Sequence, residues 1–175
     1  MSWLKKHVLL VIIAIIIALL IFINYTKGYK VDTTLQGMKY RIGDSAYSDH
    51  VTIKVKGIYY DSLFKHDTFE GTISVDKYAY TSEIPLLPLY FVDGHASLHY
   101  ADTHMRNNTL GFLFCTPDFD KVIIAVDEPL GNGSQGWNGK NGIIITAPAV
   151  NRSQANNIID YLSNKYVWLS NITLE

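Results

Sequence analysis

The distribution of apolar residues divides the chain into two unequal parts. An unbroken apolar run covers residues 8–23, and everything after it mixes apolar and polar positions. As a helix this run rises about 24 Å, and with Trp3 before it and Tyr25 after it the segment reaches both interfaces of a ~30 Å hydrocarbon core. The pattern predicts a transmembrane helix over residues 8–25, followed by one folded domain.

The start of the chain predicts where that domain lies. Lys5 and Lys6 precede the apolar run, as they would in a cleaved signal peptide, but no small-residue cleavage site follows the run. We therefore predict an uncleaved signal anchor over a cleaved signal peptide. The predicted organisation is a cytoplasmic tail (1–7), the anchor (8–25), a stalk (26–38) and an extracytoplasmic β domain (39–175). Because short basic tails stay inside, we expect a single-pass protein of the cell membrane with its carboxy-terminal domain outside.

Most of the domain is patterned for strands. Residues 51–56 and 69–76 alternate apolar and polar positions, which is typical of strands with one buried face. Residues 87–92 and 95–100 flank Asp93-Gly94, which favours a two-residue type I′ hairpin turn. Shorter apolar runs at 110–115, 121–126 and 143–147 indicate further strands, and 166–174 indicates a last one.

One helix is predicted near the carboxyl end. Ser153 can cap it, and Ala155, Ile158, Ile159 and Leu162 fall on one face at helical spacing. The predicted fold class is therefore all-β, an antiparallel meander forming a small barrel or a two-sheet sandwich, with one carboxy-terminal amphipathic helix. This order of strands and helix resembles that of lipocalin-type barrels at the level of architecture only, because no sequence motif of that family is present.

Composition and charge exclude several classes. Hydrophobic residues make up 48% of the chain, which suits a globular domain with a core. Fifteen Lys and Arg against 16 Asp and Glu give a formal net charge of −1, without the basic cluster that nucleic-acid binding requires. No nucleic-acid partner is expected. The single cysteine, Cys115, excludes an internal disulfide.

Three residues form a candidate metal site. His99, Asp102 and His104 can converge if the chain bends just after Tyr100, and three mixed nitrogen and oxygen ligands suit a catalytic zinc ion. The alternative is that these are solvent-facing residues on a strand and the turn after it. The spacing does not decide between the two.

A glycine-rich loop forms the second candidate site. Residues 131–136 match the G-x-G-x-x-G dinucleotide pattern, but the glycines that follow argue against a helix, so we predict no nucleotide and no other cofactor. The same loop offers Trp137 flanked by Asn132 and Asn138, which could stack on and hydrogen-bond a sugar. The alternative is a hairpin whose tryptophan packs back onto the barrel.

The chain lacks an organised set of catalytic residues. We therefore expect a membrane-anchored extracytoplasmic binding or interaction module rather than an enzyme, and its partner besides the membrane is expected to be a protein or a small ligand. Three alternatives stay open: a small-ligand carrier barrel, a metal-dependent hydrolase using the histidine site, and an accessory subunit of a membrane complex.

Overall fold

Strands dominate the chain from Tyr29 onwards. The computed structural model describes residues 2–25, 28–62, 65–131, 133–166 and 168–169, and within the first helix the side chains of residues 7–19. The elements in chain order are α1 (Ser2–Tyr25), β1 (Tyr29–Arg41), β2 (Asp44–Tyr60), β3 (Asp67–Val75), α2 (Tyr80–Glu83), β4 (Leu89–Phe91), β5 (His95–Ala101), β6 (Asn107–Cys115), β7 (Val122–Val126), β8 (Glu128–Pro129), β9 (Gln135–Gly136), β10 (Ile143–Ala147) and α3 (Arg152–Ser163).

Eight strands form one antiparallel sheet that closes almost completely into a barrel. The sheet runs β4-β3-β2-β1-β10-β7-β6-β5, and β8 pairs with β9 as a separate hairpin between β7 and β10. Its two edge strands are neighbours, because bridges join Leu86 to Tyr100 and Val92 to His95. The predicted antiparallel meander is confirmed, and the fold is barrel-like.

The predicted hairpin turn closes the barrel. Asp93 and Gly94 have φ angles of 50° and 82°, the two positive values that a type I′ turn needs. Val92 and His95 exchange backbone hydrogen bonds of 2.9 and 3.1 Å on either side of the turn. A short-range sequence signal therefore specifies the join between the two edges of the sheet.

The barrel interior is filled by apolar side chains from all eight strands. Residues 51, 53 and 55 of β2 are buried while Lys54 and Lys56 are exposed, as the alternation predicts. The Tyr100 hydroxyl crosses the interior and donates to the Ile73 carbonyl at 2.8 Å. Cys115, which the structure shows as a free thiol, is 3% exposed in the same core.

A single phenylalanine packs into one end of the barrel. Phe119, in the turn between β6 and β7, is fully buried. Its ring centre lies 4.9 Å from that of Phe69 and 6.2 Å from that of Tyr59. Its backbone φ of 58° is unusual for a bulky residue, so the packing of the ring holds the backbone in this conformation.

Helix α3 covers the outer face of the sheet. Its buried residues Ala155, Ile158, Ile159 and Leu162 are the four predicted for its apolar face. They form a second core with outward-facing residues of the sheet, and Trp137 and Trp168 pack against its edge. The cap is Asn151, whose side chain accepts from the Gln154 amide, so the cap lies two residues before the predicted one, Ser153, and the helix begins at Arg152.

Arg152 fastens the start of α3 to the turn between β1 and β2. Its guanidinium Nη2 donates to the carbonyl oxygens of Arg41, Tyr47 and Asp44. The guanidinium carbon also lies 4.9 Å from the centre of the Tyr40 ring. One side chain therefore holds three carbonyl groups of the β1–β2 connection in place.

We expect Arg152→Lys to lower the free energy of unfolding by about 1–3 kcal/mol, because the shorter lysine side chain cannot carry its ammonium group to all three carbonyl oxygens, and an ammonium does not stack on the Tyr40 ring as the planar guanidinium does. Urea unfolding of the full chain followed by tryptophan fluorescence measures this. Arg106→Lys is the matched control, since its pair with Asp102 is half exposed on the Arg106 side and should change stability by less than about 1 kcal/mol. Equal losses in the two variants would contradict the role given to Arg152.

Helix α1 is present over the predicted anchor, but a membrane span is not confirmed. No helix among the described residues combines the length and apolar character that crossing a membrane requires. The transmembrane helix over 8–25 therefore stays a prediction.

Two expectations about the domain ends differ from the structure. The predicted stalk, 26–38, is wrong from residue 29 onwards, because Tyr29–Arg41 forms β1 and pairs with β2 along its whole length. This stretch is rich in polar residues because the outward-facing side chains at positions 30, 32, 34 and 36 are exposed to solvent. The predicted last strand, 166–174, is not found in its described part, where residues 168–169 form a helical turn; its other residues beyond 169 lie outside the described part.

Candidate functional site

The inner face of the barrel changes from apolar to polar at one end. In the β1–β10 ladder Lys39 is opposite Ile145, and Arg41 is opposite Ile143. Directly opposite residues of an antiparallel pair share a face, and both isoleucines belong to the interior core, so the two cations also face inward. We call this end the barrel mouth. It is defined by Lys39, Arg41, Tyr47, Tyr78 and Glu128.

The ammonium group of Lys39 lies between two tyrosine rings of the mouth. Its Nζ is 5.6 Å from the ring centre of Tyr47 and 5.7 Å from that of Tyr78, both within the ~6 Å range of a cation–π interaction. Within the described part of the chain, no carboxylate oxygen lies within 4.0 Å of this nitrogen. The charge of Lys39 is therefore held by ring faces without an ion-pair contact, and Asp49 acts on it electrostatically from a longer distance.

The neighbouring charges are already paired. Arg41 donates from two nitrogens to the Glu128 carboxylate at 3.1 and 2.6 Å, and also to the Asn141 carbonyl at 2.7 Å. Asp49, which is opposite Lys39 in the β1–β2 ladder, forms an ion pair of 3.0 Å with Lys77. The hydrogen bond from Lys77 lowers the pKa of Asp49, so this carboxylate stays ionised and engaged.

Burial keeps Tyr78 of the mouth in its neutral form. Burial raises the pKa of Tyr78 to about 12, with a smaller contribution from nearby Tyr47. Burial also raises the pKa of Tyr80, whose ring packs edge-on against those of Tyr78 and Tyr100. Tyr78 therefore supplies an aromatic face and a neutral phenolic hydroxyl group, and it adds no negative charge beside Lys39.

A separate groove lies on the outer face of the barrel, between β2, β3 and the α2 segment. Its volume is about 200 Å³, and it is lined by Thr52, Lys54, Ser74, Val75, Asp76, Ala79 and Ser82. Ligand pockets for small molecules usually measure ~300–1,000 Å³. The groove is therefore small for an organic ligand, and the mouth is the stronger candidate site.

The three residues of the predicted metal site are not gathered around one point. His99 Nδ1 is 3.0 Å from the Thr109 hydroxyl on the neighbouring strand. Asp102 is engaged by Arg106, which donates from Nε at 2.7 Å, while the His104 ring is 3.7 Å from Asp102 and 83% exposed. Across the described residues, no group of three or more His, Cys, Asp or Glu side chains is placed to hold a metal ion. Metal binding here stays an untested prediction.

The residues predicted to bind a sugar belong to the loop beside the mouth. Trp137 is partly buried: its indole nitrogen donates to the Ile143 carbonyl at 2.9 Å, and its ring lies 5.2 Å from that of Trp168. Asn138 shapes the loop, since its side chain accepts from the Lys140 amide. Asn132 lies outside the described residues. Sugar binding also stays a prediction. The alternative given for this loop is that Trp137 packs back onto the barrel.

Sequence reasoning missed the mouth residues. They come from β1, β2, the turn between β3 and α2, and β8, and each is unremarkable among its sequence neighbours. The one local signal is that Lys39 and Arg41 alternate with apolar Met38 and Tyr40, which indicates a strand. Such alternation does not reveal that the charged face points inward.

Comparisons with protein-family models, with curated proteins and with solved structures find no match to this chain. Function therefore has to be argued from the geometry of the molecule.

Proposed function

We propose that this protein is a membrane-anchored extracytoplasmic binding module whose ligand site is the barrel mouth. The observation that carries the proposal is the inward-facing polar group at the mouth, with a partly buried lysine held between two tyrosines. Polar groups rarely face the inside of a small barrel, and the mouths of barrels are common binding sites. The mouth residues place hydrogen-bond donors and aromatic surface around one point.

The filled interior favours a site at the mouth over a ligand enclosed in the barrel. Below the mouth, Ile53, Ile73, Leu98, Ile124 and Ile145 are each 0% exposed. Phe119 packs into the opposite end. Protein interiors of this kind are close-packed, so a ligand would rest on the core without entering it. A deep carrier cavity, as in the small-ligand carrier alternative, is therefore less favoured.

Membrane anchoring rests on the character of α1 and its connection to the barrel. Ten large apolar residues of α1 between Val8 and Leu19 are 43–63% exposed, and a helix that is apolar on all sides is unfavourable in water. Only two residues separate Tyr25, the last residue of α1, from Gly28, which packs against the side chains of Ile58 and Tyr60. Tyrosines near the first strand also suit a membrane interface.

Native mass spectrometry of the full chain, expressed in membranes and purified in mild detergent without chelator, tests the binding function. We expect a non-covalent mass that is lost on denaturation. Tyr47→Ala, which removes an aromatic wall of the mouth, should lower the occupied fraction at least about fivefold, because the contact of an aromatic ring with a ligand contributes of order 1 kcal/mol or more.

Tyr90→Ala is the matched control, because Tyr90 is 62% exposed on β4, away from the mouth. The control should keep the occupancy of the unmodified chain. A bare protein mass in all three samples would overturn the small-ligand site, and equal loss of ligand in both variants would place the site elsewhere.

A further inference from the structure

We propose that the barrel mouth binds an anionic group, a carboxylate or a phosphate, with Lys39 as its charge partner. This inference rests on the proposed binding function and adds the chemical class of the ligand. The observation behind it is that Lys39 is the one cation of the mouth that has no carboxylate of a described residue within ion-pair distance.

The pairing of the other charges singles out Lys39. Arg41 is held by Glu128 in a two-point contact, and Lys77 is held by Asp49. A ligand carboxylate or phosphate would have to break one of these pairs to bind either cation. It can approach Lys39 without breaking any ion pair, so Lys39 is the cation that remains available.

The environment of Lys39 favours an anion over a cation or a neutral group. Burying a lysine without a carboxylate in ion-pair contact has a free-energy cost that an incoming anion would lower. Lys39 is partly buried, opposite the fully buried Ile145, and part of its charge faces the rings of Tyr47 and Tyr78. A positively charged ligand approaching the same two rings would instead be repelled by the charge of Lys39.

The tyrosines also suit the remainder of such a ligand. Their ring faces can contact an apolar or aromatic body next to the anionic group. The neutral hydroxyl of Tyr78 can donate a hydrogen bond to an anion, since burial raises its pKa to about 12. An aromatic carboxylate or phosphate ester is therefore a suitable probe for the site.

The opposing explanation is that Lys39 is only structural, with its ammonium group serving to join the rings of Tyr47 and Tyr78. Such a role would make Lys39 contribute to stability but not to anion binding. A test must therefore measure binding of anions and neutral analogues, and it must include a variant that keeps the charge.

The experiment is a titration of the ¹⁵N-labelled full chain in a non-ionic detergent, with benzoate, phenyl phosphate and the neutral analogue benzamide as probes. Amide shifts of residues 39–49 are expected for one or both anions and not for benzamide. Lys39→Met should weaken anion binding about tenfold or more, whereas Lys39→Arg should retain it within about threefold. Affinity should also fall as salt is added.

Lys54→Met is the matched control, because Lys54 is exposed on the outer face of the next strand. It should leave the affinity within about twofold. The relative affinities of benzoate and phenyl phosphate distinguish a carboxylate ligand from a phosphate ligand.

The outcomes separate this inference from the proposed function. Equal binding of benzamide and benzoate, or an unchanged anion affinity in Lys39→Met, would overturn the anion site. In that case a ligand found by mass spectrometry would still support the proposed binding function. Absence of shifts with every probe, together with a bare protein mass, would overturn both. Loss of anion binding in Lys39→Met with native spectra and an unaffected Lys54→Met would support the inference.

Discussion

Replacing Phe119 by alanine is expected to lower the free energy of unfolding by about 3–5 kcal/mol, the range found for fully buried phenylalanines. The ring fills one end of the barrel against Phe69 and Tyr59, and neighbouring strands cannot collapse far into the space because they are held by the sheet. A cavity at this point therefore remains largely open. Urea unfolding of the full chain, followed by tryptophan fluorescence, measures the loss.

The backbone conformation of Phe119 leads to a second prediction, in which a smaller residue than alanine is the less destabilising replacement. Its φ of 58° lies in the left-handed region, which costs a residue with a side chain about 1–2 kcal/mol and glycine almost nothing. Phe119→Gly should therefore be more stable than Phe119→Ala by about 1 kcal/mol, although it removes one more carbon atom. The reverse order would mean that the backbone there is not strained. Tyr90→Ala, on the exposed surface, should stay within about 0.5 kcal/mol of the unmodified chain.

Replacing Gly111 by alanine is expected to cost about 4 kcal/mol. Leu98 pairs with Gly111 while His99 pairs with Thr109, which leaves Leu110 as the extra residue of a β-bulge. Gly111 has a φ of 136° there, a region that costs other residues about 1–3 kcal/mol. An added Cβ would also overlap the carbonyl oxygen of Ala125 on β7, and overpacking adds a further ~1–3 kcal/mol.

Gly136→Ala is the control for that substitution. An added Cβ at Gly136 would meet only the flexible side chain of Leu130, at 3.1 Å, in the β8–β9 hairpin. Its loss of stability should be below about 1 kcal/mol. Similar losses for the two variants would show that the bulge can relax, and that Gly111 is not required by the barrel.

The substitutions at Phe119 and Gly111 change two different features of the barrel, its packed end and the bend of one of its strands. Phe119 fills an end of the barrel, and the bulge at Leu110 and Gly111 bends β6. Bulges increase the local bend and twist of strands, which a small barrel needs for closure. Phe119 lies at the end of the barrel opposite the mouth, so we expect its variants to keep the local geometry around Lys39 wherever the sheet remains intact. Gly111 pairs with Val126, two residues before Glu128 of the mouth, so no such independence is expected of its variants.

The strands with one buried face were the most predictable part of the fold. In β2 the alternation at residues 51–56 predicted both that a strand forms and which of its two faces is buried. In β7 and β10 every residue is buried, and their continuous apolar runs correctly predicted strands without indicating what covers each face. The first half of β1 was missed because its exposed outer face and loosely covered inner face leave no regular apolar period.

The candidate site was not predictable from the sequence. Lys39 and Arg41 alternate with Met38 and Tyr40, and an alternating strand has two distinguishable faces whose assignment to inside or outside depends on what packs against them. Helix α3 covers the apolar face of this part of β1 from outside. The charged face is consequently turned into the barrel, the reverse of the usual arrangement in a small barrel.

The sequence by itself determined the local features: the strand alternation, the Asp93-Gly94 turn and the apolar face of α3. Each depends on residues within a few positions of one another, whose conformational preferences act before any distant contact forms. Only the tertiary structure decided the barrel closure, the inward direction of Lys39 and the composition of the mouth. Those depend on contacts such as Arg41 with Glu128 and Arg152 with Arg41, between residues 87 and 111 positions apart, and no local preference specifies which distant surfaces will meet.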